Sequence, residues 1–114
     1  MAVARVRTIQ YQTGHDDEIV ALYENEIIPA AAEQPGLVQY LLLNDPSTGK
    51  VLSITIWESE DVVPPGDPPD YVMDLDSTAR LGELRDPGAG TPPQEVFEVC
   101  ADLLTERDHR VEQS

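Results

Sequence analysis

Reactive side chains are few and scattered in this sequence. His15 falls where a helix is expected to begin, so the helix dipole disfavours its protonated form, and His109 lies in the charged C-terminal stretch. Neither has a catalytic neighbour in sequence, and two isolated histidines among scattered carboxylates do not make a metal-ligand spacing, so no metal site is expected. Cys100, the only cysteine, sits in an alternating segment and reads as a small buried hydrophobe rather than a nucleophile. No Gly-rich phosphate loop, nucleophile elbow or dinucleotide fingerprint occurs. What remains are phenols and scarce cations. Tyr40 and Tyr71 can donate a hydrogen bond to the carbonyl of a bound aromatic molecule, or can simply pack at sheet and helix surfaces.

Composition narrows the partners. With 22 acidic against 7 basic residues in 114, the formal charge is −15, which repels nucleic acid and anionic membrane surfaces at long range. The length suits one domain. A single cysteine rules out an intramolecular disulfide framework and fits a reducing cytoplasm. The N-terminus alternates instead of forming the apolar run of a signal peptide, and no stretch is long and apolar enough for a bilayer, so neither export by that route nor membrane insertion is expected.

The elements that must position these residues follow from periodicity. Val3 to Tyr11 alternates, with Val3, Ile9 and Tyr11 on one side and Ala4, Val6 and Thr8 on the other, as a strand does. Thr13 and Asp16 have the spacing of a capping box, and Asp16, Asp17 and Glu18 suit the positive end of a helix. Ile19, Leu22, Tyr23 and Ile27 then form one apolar stripe, with Glu18, Glu24, Asn25 and Glu26 facing solvent. Pro29 predicts a kink or restart before Ala30, Ala31 and Ala32, and Pro35-Gly36 ends the element. Leu37–Leu43 and Lys50–Trp57 are strands of a hairpin joined by the turn-rich Asn44–Gly49. Proline-dense residues 64–69 read as a stiff loop, with Asp67 placed to cap a second helix whose stripe Val72, Leu75, Ala79 runs towards Leu84. A second Gly/Pro loop spans Asp86–Pro93, and Glu95–Leu103 alternates as a last strand.

The inferred order is β-α-β-β-α-β, a ferredoxin-like α+β domain with two helices on one face of a four-stranded antiparallel sheet. It should occupy residues 1–104, with a charged, flexible tail over 105–114. Both alternating sets of the hairpin carry large apolar residues, so helices must cover one side of the sheet and something else the other. In so short a chain the expected cover is a second copy of itself, making a homodimer through the sheet face.

Several motifs carry a family resemblance. Pro29…Pro35-Gly36-Leu37, the Asp45…Thr48-Gly49-Lys50 turn, and Leu52-Ser53-Ile54-Thr55-Ile56-Trp57-Glu58-Ser59 resemble the antibiotic biosynthesis monooxygenase-like domains of the dimeric α+β barrel superfamily. The resemblance covers nearly the whole chain in element order and is densest between Pro29 and Ser59. The proline-rich Val62–Pro69 segment departs from it, since relatives run more directly into the second helix, so the pocket mouth should differ.

The resemblance implies a homodimer whose sheets form a barrel, with a cavity between sheet and helices in each subunit that takes a small organic ligand. Among such proteins are cofactor-free oxygenases of aromatic polyketides, haem degraders and non-catalytic binding or regulatory modules. Trp57 matches the tryptophan that borders the cavity in the oxygenases, and equally reads as a core aromatic closing the sheet. The asparagine that precedes it on the strand in those enzymes is Ser53 here. The haem degraders' first-strand asparagine falls near Arg7, and Val62–Arg85 has no histidine, so no haem is expected, nor any other cofactor. Oxygenation without a cofactor needs a base, or a positive charge that holds a substrate anion, and Arg7 and Arg80 can supply the charge. Both read alternatively as surface arginines balancing an acidic exterior. Together the resemblance and the chemistry of these side chains give Trp57 and Arg7 as candidate catalytic residues, with Ser53, Tyr71, Arg80 and Tyr40 as ligand contacts.

Overall fold

The computed structural model describes residues 1–66, 68–90 and 92–102. Strands β1 (Val3–Gln10), β2 (Leu37–Asp45), β3 (Lys50–Trp57) and β4 (Gln94–Glu98) form an antiparallel sheet in the order β2-β3-β1-β4. This is the ferredoxin-like arrangement expected from the sequence.

Register decides which side chains share a face, because side chains alternate with a period of two. Arg5 lies opposite Thr55 and Arg7 opposite Ser53 between β1 and β3, while Tyr40 on β2 lies opposite Thr55. These residues stand on the helix-covered side together with the buried Val3, Ile9, Tyr11, Val51 and Trp57. The inner face thus has apolar ends and a polar band across its middle.

The first helical segment runs as α1 (Asp16–Leu22), a π-helical turn (Tyr23–Ile27) and α2 (Ile28–Ala32). Its stripe is as predicted: Ile19, Tyr23 and Ile27 are buried, and Glu24, Asn25 and Glu26 are exposed. The expected restart at Pro29 takes a specific form. The Ile28 N–H donates to the carbonyl of Tyr23, five residues back, so the helix widens before the proline and Pro29 enters at the first turn of α2, where a missing N–H costs least. The capping box does not form. His15 is the N-cap, its carbonyl accepting from Ile19 N–H at 2.9 Å, and Thr13 lies in the preceding turn.

The expected second helix is two pieces, α3 (Asp70–Met73) and α4 (Asp76–Glu83). Leu75 between them is extended, and the Thr78 hydroxyl donates to the Val72 carbonyl at 2.5 Å, satisfying a group the break releases. The break lets Val72, Leu81 and Leu84 all turn inward against Ile9, Tyr11, Ile19 and Tyr23. Asp67, the expected cap, lies outside the described residues.

Gly49 shows why the hairpin turn has its sequence. It adopts φ of +78°, its carbonyl accepts from Tyr11 N–H at 2.8 Å, and a Cβ there would collide with the Tyr11 carbonyl oxygen.

The last strand is shorter than the alternation suggested. β1 starts at Val3, opposite Glu98, so after the bond from Val99 N–H to Ala2 O at 2.9 Å there is no partner left to pair. Cys100 is consequently exposed rather than buried. The predicted tail, 105–114, lies outside the described residues. The sheet's other face carries Val6, Leu41, Leu43, Leu52, Ile54, Ile56 and Phe97, of which Leu43 and Phe97 are 47% and 50% exposed.

Candidate functional site

A cavity lies between the polar band of the sheet and the helices. It has two lobes. The smaller, about 280 Å³ and open to solvent, is lined by Arg5, Arg7, Tyr40, Ser53, Thr55, Pro69 and Tyr71. The larger, about 370 Å³ and likewise open to solvent, is lined by Tyr11, Tyr23, Ile27, Pro68, Val72, Thr78, Leu81 and Arg85, and shares Arg7 and Tyr40 with the first.

Each wall has a local cause. Strand pairing brings Arg7, Ser53 and Tyr40 together, and the Tyr40 and Ser53 hydroxyls are hydrogen-bonded at 2.6 Å. The π turn brings Tyr23 and Ile27 to one side of the helix, and the Tyr23 hydroxyl meets that of Tyr11 at 2.9 Å. The proline-rich segment is tied down by Arg5, which donates to the carbonyls of Pro64 (3.0 Å) and Gly66 and to Gln94 Oε1 (2.9 Å). Held there, it presents Pro68 and Pro69 to the cavity, in keeping with an altered mouth.

The electrostatics are those of a positive chamber in an acidic protein. All four tyrosines of the chain line it, as do three of its seven basic residues, Arg5, Arg7 and Arg85. Burial pushes each phenol above its ordinary range, most strongly at Tyr23 and Tyr40, and the Arg7 guanidinium pulls all four partly back. At neutral pH the chamber therefore offers neutral O–H donors and fixed positive charge, the combination that holds a carbonyl oxygen or an oxyanion.

Of the residues singled out in the sequence, the structure brings Arg7, Ser53, Tyr40 and Tyr71 together here. Trp57 stands behind the wall. It is fully buried and its indole Nε1–H donates to Thr55 Oγ1 at 2.8 Å, so it fixes a lining residue without lining either lobe. Arg80 lies on the outer surface of α4, its guanidinium on Glu18 at 2.7 and 3.0 Å and on Glu83 at 3.1 Å. The Arg80 guanidinium hydrogen-bonded to Glu18 holds that carboxyl below its ordinary range, and Arg80 lines neither lobe of the cavity.

Arg5, Tyr11, Tyr23, Thr55 and Arg85 are lining residues that the sequence did not single out. Arg5 and Arg7 do carry a signal, since they alternate in step with Val3, Ile9 and Tyr11 and so are charges on the apolar side of a strand. Arg85 carries none.

A sheet of this order, helices on one face and a polar-lined cavity between the layers define a ferredoxin-like α+β domain. The family model for antibiotic biosynthesis monooxygenases matches residues 2–63, more than half of the chain, and the chain belongs to that family. A search of curated proteins gives no match. Among solved structures, similarity is found to a Caulobacter crescentus protein grouped with antibiotic biosynthesis monooxygenases (19% identity, TM-score 0.65, 88% of this chain and 91% of that one). Rv0793 from Mycobacterium tuberculosis aligns at 17% identity and TM-score 0.62, over 90% of this chain and 98% of its own. SnoaB from Streptomyces nogalater, a cofactor-independent oxygenase, aligns at 18% identity and TM-score 0.62, over 90% and 96%. At these identities the likeness concerns the fold. Among the described residues no helix is long and apolar enough to cross a membrane.

Proposed function

We propose that this protein handles a small unsaturated organic molecule in the cavity, and that its chemistry is cofactor-independent monooxygenation of an aromatic or polyketide-like substrate. The observation that carries this reading is Arg7, which sits at the junction of both lobes among phenolic donors. A substrate with an acidic C–H or O–H loses a proton to solvent, which the open lobe admits, to give a delocalised anion, and Arg7 with Tyr40 and Tyr71 holds the charge on its oxygen. That anion transfers an electron to dioxygen and the resulting pair forms a C–O bond. Loss of water from the peroxide then leaves a new carbonyl, so that CH₂ and O₂ become C=O and H₂O. Ser53 orients Tyr40, and Trp57 acts by holding Thr55 in place. The family and the fold shared with SnoaB favour this chemistry.

The polar groups of the described lining are guanidiniums, hydroxyls and phenols held neutral, and a neutral phenol is a poor base. This suits substrates that ionise readily, and it equally suits a non-catalytic ligand-binding module as the second reading. Oxygen uptake with a panel of anthrones and quinols, above their spontaneous oxidation, separates the two. The oxygenase reading requires turnover that Arg7→Gln lowers by about 100-fold or more, the scale of losing one oxyanion donor. Binding of the same compounds without any turnover supports the binding module instead.

The exposed apolar residues on the open sheet face favour a homodimer assembled through that face, acting in a reducing compartment such as the cytoplasm. Sedimentation at micromolar concentration tests the assembly. A dimer that Leu43→Lys with Ile54→Lys converts to folded monomer is the expected result, and a wild-type monomer removes this part of the proposal.

A further inference from the structure

Resting on the reading of the cavity as a ligand site, we propose that its larger lobe contains a carboxylate subsite formed by Arg85 with the Tyr11–Tyr23 hydroxyl pair. The ligand is then a planar unsaturated acid rather than a neutral molecule.

The backbone at Arg85 is pinned to the end of β1. Gln12 N–H donates to Leu84 O at 2.9 Å, Gln12 Nε2 to Arg85 O at 3.1 Å, and Asp86 N–H to Gln10 O at 2.9 Å. The side chain so fixed enters the lobe beside Tyr11 and Tyr23, close enough that its charge favours ionisation of both phenols. Its Nε is buried and has no hydrogen-bond partner among the described residues, and no described carboxylate pairs with the guanidinium.

Acidic residues outnumber basic ones by 22 to 7, and Arg80, five residues earlier on the exposed side of α4, engages two glutamates. Arg85 is turned away from that supply. A buried guanidinium Nε–H without an acceptor is unfavourable, and an entering anion relieves the cost. Its planar fork matches a carboxylate through two parallel bonds.

The phenol pair adds a donor. Two hydroxyls 2.9 Å apart use one hydrogen between them and keep one to donate outward. The strongly negative exterior disfavours ligands of higher charge, so a monoanion is preferred to a phosphate ester.

The test uses calorimetry and thermal shift on the intact chain with three probes of one shape: 2-naphthoate, neutral 2-naphthamide and 2-naphthyl phosphate. Naphthoate should bind at least about 10-fold more tightly than the amide, the scale of one charge-assisted hydrogen bond. Arg85→Gln should erase that preference, and Tyr23→Phe should reduce it about 3- to 10-fold. Arg80→Gln should leave it intact. If Arg85→Gln does not fold, the Tyr23→Phe result and the probe ranking decide. Equal affinity for acid and amide, or a preference that survives Arg85→Gln, overturns the subsite and leaves the cavity as a site for neutral ligands. Phosphate binding above naphthoate overturns the choice of a carboxylate. Failure of all three probes to bind overturns both the subsite and the ligand-site reading beneath it.

Discussion

Removing one hydroxyl of the Tyr11–Tyr23 pair should harm the protein more than removing both. Tyr11 is 2% exposed and Tyr23 4%, and their oxygens are 2.9 Å apart, so Tyr23→Phe strands the Tyr11 hydroxyl and Tyr11→Phe strands that of Tyr23. Stranding a buried hydroxyl costs about 1–3 kcal/mol. The pair borders the larger lobe, where a water can take the place of the lost partner, so the expected cost of either single change is near the lower end, about 1–1.5 kcal/mol. The double replacement removes both polar groups and keeps the rings, so it should cost no more than about 1 kcal/mol. Urea denaturation of the four proteins gives a coupling energy of about 1–2 kcal/mol in favour of the pair. For a domain of this size the singles should lose very roughly 4–8 °C in melting temperature. Two singles that add to give the double would refute the reasoning, because the hydroxyls would then be satisfied independently.

The same burial has a spectroscopic consequence: all four phenols are pushed above 10, so absorbance of the folded protein near 295 nm should show no tyrosine ionising at the ordinary position. Because the unfolded chain ionises first, the stability these phenols contribute is complete below about pH 10 and is lost as pH rises from there towards the folded values; a normal titration of even one tyrosine contradicts this. Gly49→Ala should destabilise by more than about 2 kcal/mol, combining the left-handed backbone with the collision at Tyr11 O, whereas Gly82→Ala, in open space on α4, should be neutral or stabilising in the same denaturation assay. Arg80→Gln should leave affinity for any cavity ligand within about twofold, since an exposed arginine on Glu18 and Glu83 has only a screened influence at the cavity; a larger loss would mean that the guanidinium swings inward.

Local patterns in the sequence determined the order of elements and most of the core. Alternation in Val3–Tyr11 and Lys50–Trp57 and the stripe through Ile19, Tyr23 and Ile27 are visible without coordinates, because each depends only on the period of its own element. The family motifs between Pro29 and Ser59 pointed to Ser53, and the chemistry of scarce cations and phenols pointed to Arg7, Tyr40 and Tyr71. What neighbours what across the sheet was decided only in three dimensions. The register that puts Arg7 opposite Ser53, the π turn that aims Tyr23 at Tyr11, and the break at Leu75 are each set by packing between elements distant in sequence. Two arginines five residues apart make the point: Arg80 and Arg85 look alike in sequence, yet the end of α4 sends one out to Glu18 and the other into the cavity, because Arg85 is tied to β1 through Gln10 and Gln12.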